Sequence, residues 1–232
     1  MSLDVALVLF QVVVLFFTIC VQECAHAYTA WRLGDATGKM LGRITLNPLK
    51  QLDLIGSVIF PVIGLFYGWA PIGWGRPVPV TTRNFRHYRR DDILTALAGP
   101  ASNLGLAIAA LLLLVVLKHS MAGGSLAVVA AIFVAFKSPG IDLSVLPALF
   151  PIALLLYYVV FINLTMFVFN LIPIPPLDGA TVLRHYLPPG ALKIYDNLGI
   201  FSLVIFFLLG GRIMSIFFPP LLNIFNGVLN TL

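Results

Sequence analysis

The stretch from Val5 to Trp31, VALVLFQVVVLFFTICVQECAHAYTAW, decides the fold. A bilayer span needs about 20 consecutive apolar residues, and this run supplies them. It has no basic segment ahead of it and no small-residue cleavage site within it, so it reads as a retained span and not a signal peptide. Yet its last third carries Glu23 and His26. An ionisable group inside a span costs several kcal/mol, which makes each a functional hypothesis. The two are three residues apart and therefore neighbours on one helix face.

The rest of the chain agrees with membrane residence. Of its 232 residues 60% are hydrophobic and only 10% are Asp, Glu, Lys or Arg. A soluble domain carries roughly 25% charged residues, so this chain has too little charge to cover a water-facing surface. The net charge of +5 is no nucleic-acid footprint, because nine of the fourteen Lys and Arg residues fall between Arg32 and Arg90. In a membrane protein such clustering orients the chain, with basic loops on the cytoplasmic side. Cys20 and Cys24, four apart on one helix, are poorly placed for a disulfide and read as small apolar fillers.

Both flanks of the short apolar segment Ile55–Trp69 are basic, and Pro61 and Gly64 interrupt it. A crossing would put one basic flank outside, so the segment is expected to be a re-entrant hairpin covered by protein. Gly42–Leu46 and Arg76–Val80 have short β-like character and could pair beside it. A second span is expected over Ile93–Leu117 and a third over Leu146–Asn170, with Leu126–Phe136 an outer interfacial piece. The third span breaks in Leu171-Ile-Pro-Ile-Pro-Pro-Leu-Asp-Gly179. Gly199–Phe218 is a further span or hairpin, with Arg212 snorkelling or marking a boundary, and the last dozen residues form an amphipathic tail. The fold class is thus an all-α integral membrane protein: a multi-span helical core, a re-entrant hairpin and room for a short β element. Without repeats or a soluble insertion, residues 1–232 are expected to form one domain, with a core over 10–193 and a C-terminal hydrophobic segment over 194–232.

This topology places Glu23, His26 and Asp178 at one depth near the cytoplasmic face. In the motif H-E-x-x-H two histidines at i and i+4 bind zinc and the Glu is the general base. Here the window is Gln22-Glu23-Cys24-Ala25-His26, with Gln where the first His would stand.

With Gly34-Asp35, Leu41-Gly-Arg-Ile-Thr-Leu-Asn-Pro48, Ala98-Gly-Pro-Ala-Ser-Asn103 and Asn170-Leu-Ile-Pro-Ile-Pro-Pro-Leu-Asp-Gly179, the chain resembles the site-2 protease family of intramembrane zinc metalloproteases. The resemblance covers roughly Phe10 to Lys193 and points to the compact bacterial branch without a PDZ or nucleotide-sensing domain. It implies zinc as cofactor, His26 and Asp178 as ligands with Gln22 at the position of the missing His, and Glu23 as the base that activates a metal-bound water. Asn103 and Asn170 would hold substrate backbone or stabilise the oxyanion. It further implies a multi-pass protein of the plasma membrane, a membrane-spanning protein as substrate and a regulatory membrane partner.

A catalytic zinc keeps three protein ligands and one open position, so Gln22 leaves three readings open. The site is degenerate and the protein is a membrane scaffold or binding protein. Or His87, His185 or Glu23 replaces the missing ligand, although the two histidines read first as cytoplasmic surface residues. Or the enzyme is active with an altered ligand.

The remaining features have plain readings. Asp35 and Asp53 are loop or capping residues. Arg83–Arg90 anchors topology, with anionic lipid contact the lesser reading. Tyr67, Trp69 and Trp74 fit an interfacial belt, and His119 needs no role.

Overall fold

A computed structural model describes residues 3–66, 72–138, 146–198 and 201–231. Helix α1 (Leu3–Leu33) ends at Gly34, whose φ of 121° suits a residue without Cβ. A Cβ there would run into the Asn84 carbonyl. The next residue, Asp35, is fully buried. It accepts from Thr37 Oγ1 (2.6 Å), Thr81 N (2.8 Å) and Asn84 Nδ2 (2.9 Å). Burial pushes its carboxyl up, but these hydrogen bonds outweigh it and hold the group below the ordinary carboxylate range. Asp35 thus fastens the end of α1 to the loop that precedes the next span.

Short helices α2 (Thr37–Met40) and α3 (Pro48–Gln51) follow. Asn47 caps α3 by accepting from Leu49 N, with Pro48 at the first helical position. The expected hairpin begins as a π-turn, Leu54–Ile59, capped by Asp53, and continues as α4 (Phe60–Phe66). Its two ends meet: Leu52 bridges Gly75, Trp74 N donates to Gly56 O, and the Phe60 and Trp74 rings lie 5.1 Å apart. Residues 67–71, with Tyr67 and Trp69, lie outside the described residues. Trp74 packs on Gly56.

Gly42–Leu46 and Arg76–Val80 do not pair as strands. Among the described residues the Leu52–Gly75 bridge stands alone, without a named strand. Side chains join the two pieces instead. Gln51 Nε2 donates to Arg43 O and Thr45 O, Arg43 donates to Arg76 O, and Arg76 N donates to Gln51 O. With Pro77 and Pro79 lacking N–H groups, a regular ladder has few donors to use.

Helix α5 (Tyr88–Ser120) is longer than the expected span because Asp91 accepts from His87 N and starts the helix early. Helix α6 (Gly124–Ala135), too short to cross, packs on α5 and α7. Helix α7 (Phe150–Asn170) is the hub, touching α1, α5, α6 and the C-terminal helix. Tyr157, Tyr158, Ile162, Leu164, Met166 and Phe169 are its largest fully buried side chains.

Helices α8 (Asp178–Arg184) and α9 (Pro189–Asp196) follow the break, where the Pro175–Pro176 peptide bond is cis. Helix α10 (Phe201–Ile205), a π-turn (Phe206–Gly210) and α11 (Gly211–Thr231) then form one continuous run. This corrects the expected end at Phe218 and the separate tail. Pro219 and Pro220 remove only two donors, and the helix passes through them, as membrane helices tolerate. Arg212 is exposed at the start of α11, beside its junction with the π-turn. Among the described residues four helices are long and apolar enough to cross a membrane: Leu7–Leu33, Tyr88–Ser120, Phe150–Asn170 and Leu208–Thr231. The protein is an all-α, multi-span membrane protein.

Candidate active site

Gln22, Glu23 and His26 share one side of α1, where Gln22 and His26 stand one turn apart. All three are buried. Asp178 arrives from the other end of the chain as the first residue of α8. Its neighbour Gly179 lets the turn close, because a Cβ there would meet the carbonyls of Leu171 and Ile172. These residues line one cavity of about 390 Å³, together with Asn170, Thr95, Asp92 and the extended stretch Trp74–Val80. The structure therefore brings Gln22, Glu23, His26, Asp178 and Asn170 to one cavity, with Asn103 directly behind it on Gln22.

His26 Nδ1 lies 2.8 Å from the Thr95 carbonyl oxygen. A carbonyl only accepts, so the proton sits on Nδ1 and Nε2 faces Asp178 Oδ2 at 3.3 Å. Metal-binding histidines commonly donate their far N–H to a carbonyl or carboxylate in this way. Gly99 makes the ring's position possible, since a Cβ at 99 would strike the His26 ring and Gln22 Cγ. Gly75 does the same for Glu23.

Arg43, in the Leu41–Pro48 motif, carries a role that the sequence does not announce. It is buried, lies 3.9 Å from Glu23 Oε2 and donates to the Arg76 carbonyl. It thus ties the base-bearing helix to the extended wall of the cavity. Burial pushes its guanidinium down from the ordinary value, and Glu23 draws it back up. A basic residue between apolar helices was the available signal.

The Gln22 carboxamide has a fixed sense. Asn170 Nδ2 donates to Met166 O (2.9 Å) and to Gln22 Oε1 (3.2 Å), and Asn103 Nδ2 donates to Gln22 Oε1 (2.8 Å). The Gln22 amide nitrogen is left to donate to Asp178 Oδ2 at 3.4 Å. Ligand atoms about 2.0–2.1 Å from a tetrahedral zinc lie roughly 3.3–3.4 Å apart. His26, Asp178 and the Gln22 terminus therefore have the spacing of a zinc site, but not its chemistry. An amide N–H is no ligand, and the amide oxygen is engaged elsewhere. The residues present do not fit a zinc ion with three protein ligands. Among the described residues no group of three His, Cys, Asp or Glu side chains is arranged to hold a metal.

Neither histidine considered as a replacement lines the cavity. The His87 side chain is exposed, 3.9 Å from Asp91. His185 is not the surface residue expected; its side chain is covered, pairs with Asp92 at 2.7 Å and meets the Tyr88 ring edge-on. Cys20 and Cys24 are free thiols, and His119 is exposed.

Comparison with known proteins gives one consistent result. The family model described as "Peptidase family M50" matches residues 84–210, which include Asn103, Asn170 and Asp178 but not Gln22, Glu23 or His26. A Bacillus subtilis protein named "Putative zinc metalloprotease YwhC" is 37% identical over 200 residues, 86% of this chain and 79% of the relative. Proteins named "Putative zinc metalloprotease Rip2" from Mycolicibacterium smegmatis and Mycobacterium tuberculosis H37Rv are 33% and 31% identical. They align over 74% and 89% of this chain, and over 55% and 65% of their own lengths. No solved structure matches the chain.

Proposed function

Because the chain belongs to peptidase family M50, the site-2 protease family, we propose that it takes an unwound segment of a membrane-spanning polypeptide into the cavity around Glu23, His26 and Asp178. The observation that carries this reading is the cavity itself. Four ionisable side chains, Glu23, His26, Asp178 and Asp92, line about 390 Å³ walled by the extended stretch Trp74–Val80. An intact helix, about 10–12 Å across, does not fit such a space; a few residues of extended chain do. The cavity's carboxylates accept N–H groups that an unwound segment must place somewhere inside a membrane.

The chain's own residues act as follows. Thr95 orients the His26 ring, Arg43 holds Glu23 against the wall, and Asp178 accepts from Gln22. Bound zinc would supply a water of lowered pKa in this family's chemistry, but position 22 does not supply the ligand it needs. The function proposed is therefore recognition of membrane polypeptides, as a scaffold or binding protein on a peptidase fold. A second reading, zinc-dependent cleavage of the same substrates, is favoured by the ligand-like spacing at His26 and Asp178.

A photocrosslinker at Val80, with one at Leu112 on the exposed face of α5 as control, tests the first reading against a panel of single-span polypeptides. Adducts at position 80 and not at 112 are expected; equal labelling at both would overturn it. Cleavage of a panel member by the native chain, abolished by Glu23→Gln, would establish the second reading. The orientation proposed is multi-pass in the plasma membrane with the site near the cytoplasmic face, where a regulatory membrane partner would control access. A tag after Arg90 is then cytoplasmic and one at Gly124 external; both on one side would refute it.

A further inference from the structure

Gln22 does more than lack an imidazole. Its amide oxygen takes both Asn103 and Asn170, and Asn103 has no other hydrogen bond among the described residues, its Oδ1 being buried without a partner. Asn170 cannot turn around, because its nitrogen also serves the Met166 carbonyl. Rotating the Gln22 amide would set N–H against N–H at Asn170, and oxygen against oxygen at Asp178; Asn103, held by nothing else, follows either sense. Two attractive contacts would become two repulsive ones.

We propose that Gln22 is a metal-excluding clamp: held at its oxygen by α5 and α7, it points an N–H at Asp178 where a cation would have to sit. The clamp also ties α1 to α5, α7 and α8, where a shared ligand set would join only α1 and α8. The site is then complete as a hydrogen-bonded unit, and its integrity does not depend on zinc. This rests on the side-chain geometry alone and stands whether or not a polypeptide occupies the cavity.

The test is metal content and thermal stability of the full-length chain in detergent, with zinc and with cobalt(II) as a spectroscopic probe. The native chain is expected to take up less than about a tenth of an equivalent, with a Tm unmoved by chelator. Gln22→Glu and Gln22→His each restore a third ligand and are expected to bind about one equivalent. Both should show the visible absorption of tetrahedral cobalt and a Tm that chelator lowers. Gln22→Leu should bind no metal and lose on the order of 5 °C in Tm, because two buried asparagine amides lose their acceptor. One equivalent in the native chain, lost in His26→Ala, would overturn the proposal. An unchanged Tm in Gln22→Leu would overturn the clamp. Should the Glu and His variants fail to fold, the native chain's metal content and the Leu variant's Tm still decide. Crosslinking at position 80, done without metal, fails or succeeds independently.

Discussion

Helices α7 and α11 are both 21 residues long and both apolar, yet they occupy opposite situations. In the most apolar stretch of α7, 67% is buried; for the stretch within Leu208–Thr231 the figure is 17%. Helix α7 buries side chains all round, while α11 buries Leu222, Phe225 and Leu229 on one face and exposes Ile216, Phe217 and Ile224. Inside a membrane, lipid is as apolar as leucine, so apolarity alone does not draw a helix inward. Packing and hydrogen bonds do. Helix α7 carries buried Asn163, Thr165 and Asn170, each bonded to a carbonyl one turn back, and Asn170 reaches α1 as well. Among the described residues helix α11 accepts two side-chain bonds from its neighbours, Asn226 from Tyr157 at 3.0 Å and the Leu229 carbonyl from Lys118 Nζ. The central helix is the one with polar work to do.

This contrast can be broken by mutation, with unfolding in detergent micelles as the measurement. Leu164→Ala on α7 is expected to cost about 3 kcal/mol, because a fully buried side chain leaves a cavity. Tyr157→Phe severs the α7 tie to α11 and is expected to cost about 1 kcal/mol; no loss would mean that α7 holds α11 by its apolar face alone. Asn163→Leu goes the other way. Its buried Oδ1 has no partner among the described residues, so the exchange is expected to stabilise by about 0.5–1 kcal/mol. Phe217→Ala, on the exposed side of α11, is expected to change stability by less than about 0.5 kcal/mol. A cost like that of Leu164→Ala would show that the exposed face is covered by another polypeptide.

The difference between these two helices also marks where sequence reading ends. Length and apolarity were enough to find the spans, and misplaced charge was enough to find Glu23, His26 and Asp178. Neither could rank α7 above α11, since both satisfy the same length rule. The hairpin was legible from basic flanks and helix breakers. The absence of strands beside it was not, because Gln51 and Arg43 make side-chain bonds that no β pattern encodes. At the site, the residue at position 22 was visible as a missing ligand. The sense of its amide was not, because three residues from three other helices set it: Asn103, Asn170 and Asp178.

That amide has a consequence in the genetic code. Codons for glutamine and histidine share their first two bases, so a single base change at position 22 converts one to the other. The surroundings already have part of what an imidazole needs: Gly99 leaves the space, Thr95 keeps His26 turned, and Asp178 lies 3.4 Å from the side-chain terminus. One base change therefore trades the acceptor of Asn103 and Asn170 for a metal-capable ring, in either direction, without rebuilding the membrane core.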